Sequence, residues 1–201
     1  MKRNYGEYFN VAHIELQSRI YGPGTRYVIW LQGCSLACEG CWNTEMWSFK
    51  AKDLIHRETL LKQILSATDI KGITILGGEP LHQESNLLWL LKKIRRQTNL
   101  TIFVFTGFEE QELQSQGLLG QLLEVCDMLA VGRYISSQRN TQQQWIGSNN
   151  QCILYSANSR EKQKQQSVNE VEICINKDSS VRMLGFPNEE LIRWVNVNSS
   201  K

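Results

Sequence analysis

Four short apolar runs end at glycine, and this pattern constrains the fold most. Arg26–Gln32 (RYVIWLQ) ends at Gly33, Gly72–Leu76 at Gly77-Gly78, Thr101–Thr106 at Gly107, and Asp127–Val131 at Gly132. They are rich in β-branched and aromatic residues, as buried strands are. Helical spacing lies between them. Thr59–Ala67 carries Leu60, Leu61, Ile64 and Leu65; Asn86–Arg96 carries Leu87, Leu90, Leu91 and Ile94. Glu109–Val125 reads as two short helices broken near Gly117 and Gly120. Buried strands alternating with helices imply βαβ units and a parallel sheet. Val11–Gln17 is expected as an early strand. Val171–Ile175 and Val181–Leu184, joined by Asn176-Lys177-Asp178, read as a late hairpin, and polar Ser159–Asn169 as a solvated loop or poor helix. An open sheet and an incomplete barrel both fit, and both gather ligands at the carboxyl ends of their strands.

The chain has 201 residues, which predicts one domain over 1–201. A hydrophobic fraction of 41% suffices for a packed core. A net charge of +2 gives no reason to expect a nucleic-acid partner. The apolar run Leu87–Leu91 is far shorter than the ~20 residues that span a bilayer, and Met1-Lys2-Arg3 leads into polar residues instead of a secretory core. A soluble cytoplasmic chain with no membrane partner is expected.

Cys34, Cys38 and Cys41 fall within eight residues, directly after the first strong strand. This clustering suits a metal site in a reducing compartment better than a disulfide framework. Cys126 and Cys174 lie in apolar or alternating stretches and read as small buried hydrophobes, while Cys152 is unassigned. Thiolates suit zinc and iron–sulfur clusters, which ordinarily take four protein ligands. His13, His56 and His82 are isolated, so no fourth local ligand is visible. A three-thiolate site leaves one iron open for chemistry; a zinc site completed by a remote Cys or His is the competing reading. At the next strand end stands Gly77-Gly78-Glu79-Pro80. Glycines allow close backbone approach, Pro80 stiffens the exit, and the Glu79 carboxylate can bind an ammonium group.

Cys-x3-Cys-x2-Cys after one strand and Gly-Gly-Glu-Pro after the next resemble the radical S-adenosylmethionine (SAM) superfamily. Gly22–Arg26, Gln32-Gly33-Cys34 and Gly40-Cys41-Trp42-Asn43 narrow the resemblance to small activating enzymes of anaerobic ribonucleotide reductase. Thr106-Gly107-Phe108, Asp127 with Gly132-Arg133-Tyr134, and Trp145–Gln151 extend it over about residues 10–155. Where the superfamily often has an aromatic residue just before the third cysteine, this chain has Gly40, with Trp42 after Cys41.

The resemblance implies an α/β fold built as an incomplete TIM-type βα barrel of parallel strands, with a C-terminal hairpin extension over about 156–201. It implies that Cys34, Cys38 and Cys41 hold a 4Fe-4S cluster. SAM chelates the open iron, and Gly77, Gly78 and Glu79 receive its ammonium. Pro80, Trp42, Asn43, Thr106 and Arg133 are the further expected cofactor-binding positions. Trp42 shields the cluster, stacks on adenine or packs in the core; Asn43 bonds near the cluster or caps its loop; Arg26 is solvated or meets a carboxylate. His82 reads as structural, and Ser148–Gln151 as a peptide-binding or ordinary loop.

The implied reaction is reductive cleavage of SAM and hydrogen abstraction from a polypeptide, with electrons from a flavodoxin- or ferredoxin-like donor. The favoured substrate is a glycyl-radical enzyme. The alternative is a ribosomally made precursor peptide, rearranged or spliced with a leader-binding partner, for which the extension leaves room.

Overall fold

The computed structural model describes residues 4–161, 170–175 and 181–198. A seven-stranded open sheet carries the strands in the order β3-β1-β2-β4-β5-β6-β7. β1 (Tyr8–Ser18) runs antiparallel to both β2 (Arg26–Leu31) and β3 (Asp53–His56). β2, β4 (Gly72–Gly77), β5 (Thr101–Phe105) and β6 (Met128–Val131) are parallel, and β7 (Cys152–Tyr155) returns antiparallel to β6. The fold is therefore mixed α/β with a mostly parallel centre. No closed barrel forms among the described residues, because the edge strands β3 and β7 do not pair.

Strand alternation divides the core into two faces. Ile29, Ile75, Val104 and Leu129 pack against α1 (Arg57–Ser66), α2 (Glu84–Gln97) and α4 (Leu119–Val125) through Leu60, Leu90 and Leu122, all at most 1% exposed. The opposite face carries Val28, Trp30, Leu76, Phe103 and Met128. Tyr21, Trp145, Ile146 and Leu184 of the late hairpin cover it. That hairpin consists of β8 (Val171–Ile175) and β9 (Val181–Gly185), paired with Ile173 opposite Met183. Its Asn176–Asp178 turn and part of the polar 159–169 segment lie outside the described residues, as do Met1–Arg3. A final helix, α5 (Glu189–Asn198), has no counterpart among the sequence expectations.

Two local expectations change. The helical break falls at Gly117 alone, between α3 (Glu110–Ser115) and α4; Gly120 lies inside α4. Arg26 is fully buried, not solvated. Its guanidinium donates to Thr74 Oγ1 (2.6 Å), Thr101 Oγ1 (3.0 Å) and the carbonyls of Ile73 (2.5 Å), Thr101 (3.0 Å) and Pro23 (3.1 Å). These bonds tie the amino ends of β2, β4 and β5 together. Burial lowers its pKa to about 10, still far above neutrality. Asp127 has the same role beside it: fully buried, it accepts from Ile102 N (2.8 Å), Arg160 N (2.8 Å) and Arg95 Nη2 (2.9 Å).

Candidate active site

The cysteine loop and the Gly-Gly-Glu-Pro turn form one bonded unit at the carboxyl end of the sheet. After β2, Gly33 N donates to Met46 O (2.8 Å) and Cys34 N to Trp47 O (3.1 Å). Gln32 Nε2 donates to Glu45 O (3.1 Å) and Ser48 O (2.8 Å), closing the loop at its base. Cys41 N donates to Cys38 O at 3.1 Å. The turn after β4 locks onto this loop: Gly78 N donates to Leu31 O (2.7 Å) and Glu79 N to Gly33 O (2.9 Å). Gly77 has φ +118°, and a Cβ there would lie 2.5 Å from Leu31 N, so glycine is required. A Cβ on Gly78 would meet Gly33 O at 2.6 Å.

Glu79 is 1% exposed. It caps the short 3-10 turn Pro80–Gln83 by accepting from Leu81 N (2.9 Å). Thr106 Oγ1 (2.9 Å) and Gly107 N (2.8 Å), from the end of β5, donate to the same carboxylate. These donors are all neutral. Burial raises its pKa to about 7, and the three bonds only partly offset that cost. A cationic ligand would stabilise its ionised form. Thr106 therefore holds the Glu79 carboxylate, and Pro80 is the buried start of the turn.

Cys34, Cys38 and Cys41 are half-buried free thiols. Burial pushes the Cys34 and Cys38 thiols up, and the negative charge of Glu79 acts in the same direction on Cys34. Among the described residues, no three His, Cys, Asp or Glu side chains already form a metal cage. The fit to a cluster rests on donor chemistry: three soft ligands share one anchored loop. His82 fixes that loop, with its Nε2 accepting from Ser35 N (3.1 Å) and lying 2.9 Å from Ser35 Oγ.

The remaining expected positions separate. Trp42 is 49% exposed, so it is not a core residue, and the Arg139 guanidinium lies 5.3 Å over its ring. Asn43 occupies the N-cap position of a 3-10 turn, Thr44–Met46, without a side-chain capping bond; its Nδ2 lies 3.5 Å from Gly77 O. Arg133 is engaged by Glu112 at 2.6 and 2.8 Å. That pair lowers the Glu112 pKa to about 2. The Ser148–Gln151 segment binds its own chain: Asn150 Nδ2 donates to Arg133 O (2.8 Å) and Gln151 Nε2 to Gly132 O (2.9 Å). Cys126 is fully buried, as expected; Cys174 is only partly buried, packed against the second core from the two-stranded hairpin, and Cys152 is exposed at the start of β7.

A cavity of about 170 Å³ opens beside Cys41 and is walled by Tyr21, Trp30, Trp42, Tyr134 and Phe186. Phe186 comes from the C-terminal extension, and no sequence pattern pointed to it.

A protein-family model described as a 4Fe-4S single cluster domain matches residues 20–154. The chain belongs to that family, within the activase-like group of the radical SAM superfamily. It is an enzyme of that class. Among curated relatives, it is 36% identical over 142 residues to the anaerobic ribonucleoside-triphosphate reductase-activating protein of Haemophilus influenzae, covering 67% of this chain and 90% of the relative. The protein of the same name from Pasteurella multocida is 34% identical over 158 residues, covering 75% of this chain and 96% of the relative. That of enterobacteria phage T4 is 31% identical over 141 residues, covering 67% and 86%. Among the described residues, no helix is long and apolar enough to cross a membrane.

Proposed function

We propose that this chain cleaves SAM reductively at a 4Fe-4S cluster held by Cys34, Cys38 and Cys41. We read its product as a radical on a polypeptide, most simply the glycine of a glycyl-radical enzyme such as an anaerobic ribonucleoside-triphosphate reductase. The observation that carries this reading is the direct bond from Glu79 N to Gly33 O. It joins a buried carboxylate whose hydrogen-bond donors are all neutral to the loop that bears three thiols.

When bound, the cluster would supply the one electron for cleaving the SAM sulfonium to methionine and a 5′-deoxyadenosyl radical, the chemistry that would take a hydrogen atom from the substrate. The chain's residues bind, orient and exclude water. Glu79 and the carbonyls of Gly77 and Gly78 receive the methionine ammonium, and Thr106 and Gly107 hold the carboxylate in place. Trp42 and Asn43 flank the cofactor next to Cys41, while Arg133, fixed by Glu112, borders the site from the end of β6. The aromatic walls keep solvent from the radical. A flavodoxin- or ferredoxin-like protein supplies the electrons. The whole chain acts as one domain, with the open sheet curved as an incomplete βα barrel.

The test is anaerobic. Chain, SAM, a one-electron reductant and the reductase from the same organism should yield 5′-deoxyadenosine and a glycyl radical detectable by electron paramagnetic resonance. Cleavage of SAM with no radical on the reductase, but with hydrogen taken from a precursor peptide, would establish the alternative substrate. One tightly bound zinc and no sulfide would contradict both.

A further inference from the structure

The cavity beside Cys41 shares a wall with a larger groove. This groove, about 470 Å³, runs between the C-terminal extension and the 141–142 segment. Val171, Phe186, Leu191 and Trp194 form its apolar side; Thr141 and Gln142 face them. Phe186 and Thr141 line both spaces, so the groove adjoins the cavity beside the cluster loop. Arg139 pins this junction by donating to Pro187 O while its guanidinium lies over Trp42.

We propose that this groove holds the segment of the polypeptide substrate flanking the attacked residue. The proposal deepens the function proposed above and rests on its polypeptide substrate. Its occupant is a linear segment with bulky apolar side chains and a basic residue. Three observations support that chemistry. Trp194 is 61% exposed in the groove wall, and a tryptophan in a pocket is a frequent anchor of protein partners. Among the described residues of the lining, Glu190 is the one that is charged, which favours a basic neighbour. The apolar track also continues beyond the groove. Val171, Ile173 and Ile175 share one face of β8, with Ile173 49% and Ile175 75% exposed, and Val181 opposite Ile175 is 66% exposed. The extension lies outside the family match at 20–154, so the common core supplies the chemistry and the extension selects the sequence.

The probe is a displayed library of random linear peptides, panned anaerobically on the cluster-loaded chain. Selected peptides should carry bulky apolar and Lys or Arg residues. They should bind the Leu191→Ser/Trp194→Ala variant at least about tenfold more weakly, as expected for loss of two apolar anchors. Gln142→Trp should have the same effect by filling the groove from the opposite side, with the extension unaltered. Leu65→Ser, exposed on α1, should bind as the parent does. No enrichment over bare matrix, or equal binding by the groove variants, overturns the proposal. So does a dimer in sedimentation that the same variants dissociate, since a second copy then occupies the groove. The parent preparation is also assayed for 5′-deoxyadenosine with reductant and SAM. Absence of cleavage overturns the proposed function; cleavage with groove-independent peptide binding overturns this inference alone.

Discussion

The strand-end site and the C-terminal extension are fastened to the same sheet by different means. The site is held by backbone groups: Gly33, Cys34, Gly78 and Glu79 all donate amides to carbonyls on neighbouring segments. The extension is held mainly by side chains. Ser18 Oγ donates to Glu172 (2.8 Å), Arg182 pairs with Glu15 (2.7 Å), Gly185 N donates to the Tyr21 hydroxyl (2.8 Å), and Leu184 enters the second core. Backbone bonds between adjacent strand ends survive changes of side chain, whereas side-chain attachments depend on each residue. A fixed chemical site can thus be combined with a replaceable wall.

The largest expected effect breaks the site alone. Cys34→Ala, Cys38→Ala or Cys41→Ala should reduce reconstituted iron from about four per chain to background, while Cys126→Ala retains it. Iron and sulfide analysis checks this. Next comes Glu79→Ala, which removes a charge-assisted contact of ~1.5–3 kcal/mol and should weaken SAM about ten- to hundredfold with the cluster intact.

Acidity sharpens the same point. The folded Glu79 pKa is raised from 4.5 to about 7. Its contribution to stability of the ligand-free chain is therefore present below 4.5 and is lost as pH rises through about 7. Binding an ammonium requires the ionised form, so SAM affinity should rise over the same upper range. Glu79→Gln should flatten both profiles, as measured by denaturant unfolding and anaerobic titration.

Much of the site was legible in the sequence because its parts are local. Spacing alone exposes three thiols, and Gly-Gly-Glu-Pro follows a run whose burial is evident from composition. The four glycine-ended strands appear within a residue or two of their expected bounds. What was illegible depends on partners far along the chain. The burial of Arg26 requires acceptors at 73, 74 and 101, and Arg133 meets Glu112 across 21 positions. β3 and β7 have four residues each, too few for a periodic signal, and are strands because β1 and β6 pair with them. Phe186 reaches the cluster cavity only through the docking of β9.

Smaller effects probe the extension. Leu184→Ala, at 8% exposure, should cost about 2 kcal/mol and show first as faster hydrogen exchange within residues 171–198. Leu90→Ala, fully buried on the sheet-facing side of α2, should cost about 3–4 kcal/mol and lower the unfolding midpoint of the whole chain. Equal, global responses would show that the extension is not a separately fastened wall. Smallest is Arg182→Ala. Its partly exposed pair with Glu15 should contribute about 1 kcal/mol, and the difference should shrink in high salt.

Hydrogen transfer tests the central claim most directly. Reductase deuterated at glycine is mixed with the reduced, cluster-loaded chain and unlabelled SAM, and the released 5′-deoxyadenosine is analysed by mass spectrometry. The account predicts one deuterium per 5′-deoxyadenosine in coupled turnovers, with a glycyl radical appearing on the reductase. Deuterium that never enters 5′-deoxyadenosine from the reductase or any other polypeptide, while a labelled small metabolite delivers it, would contradict the account.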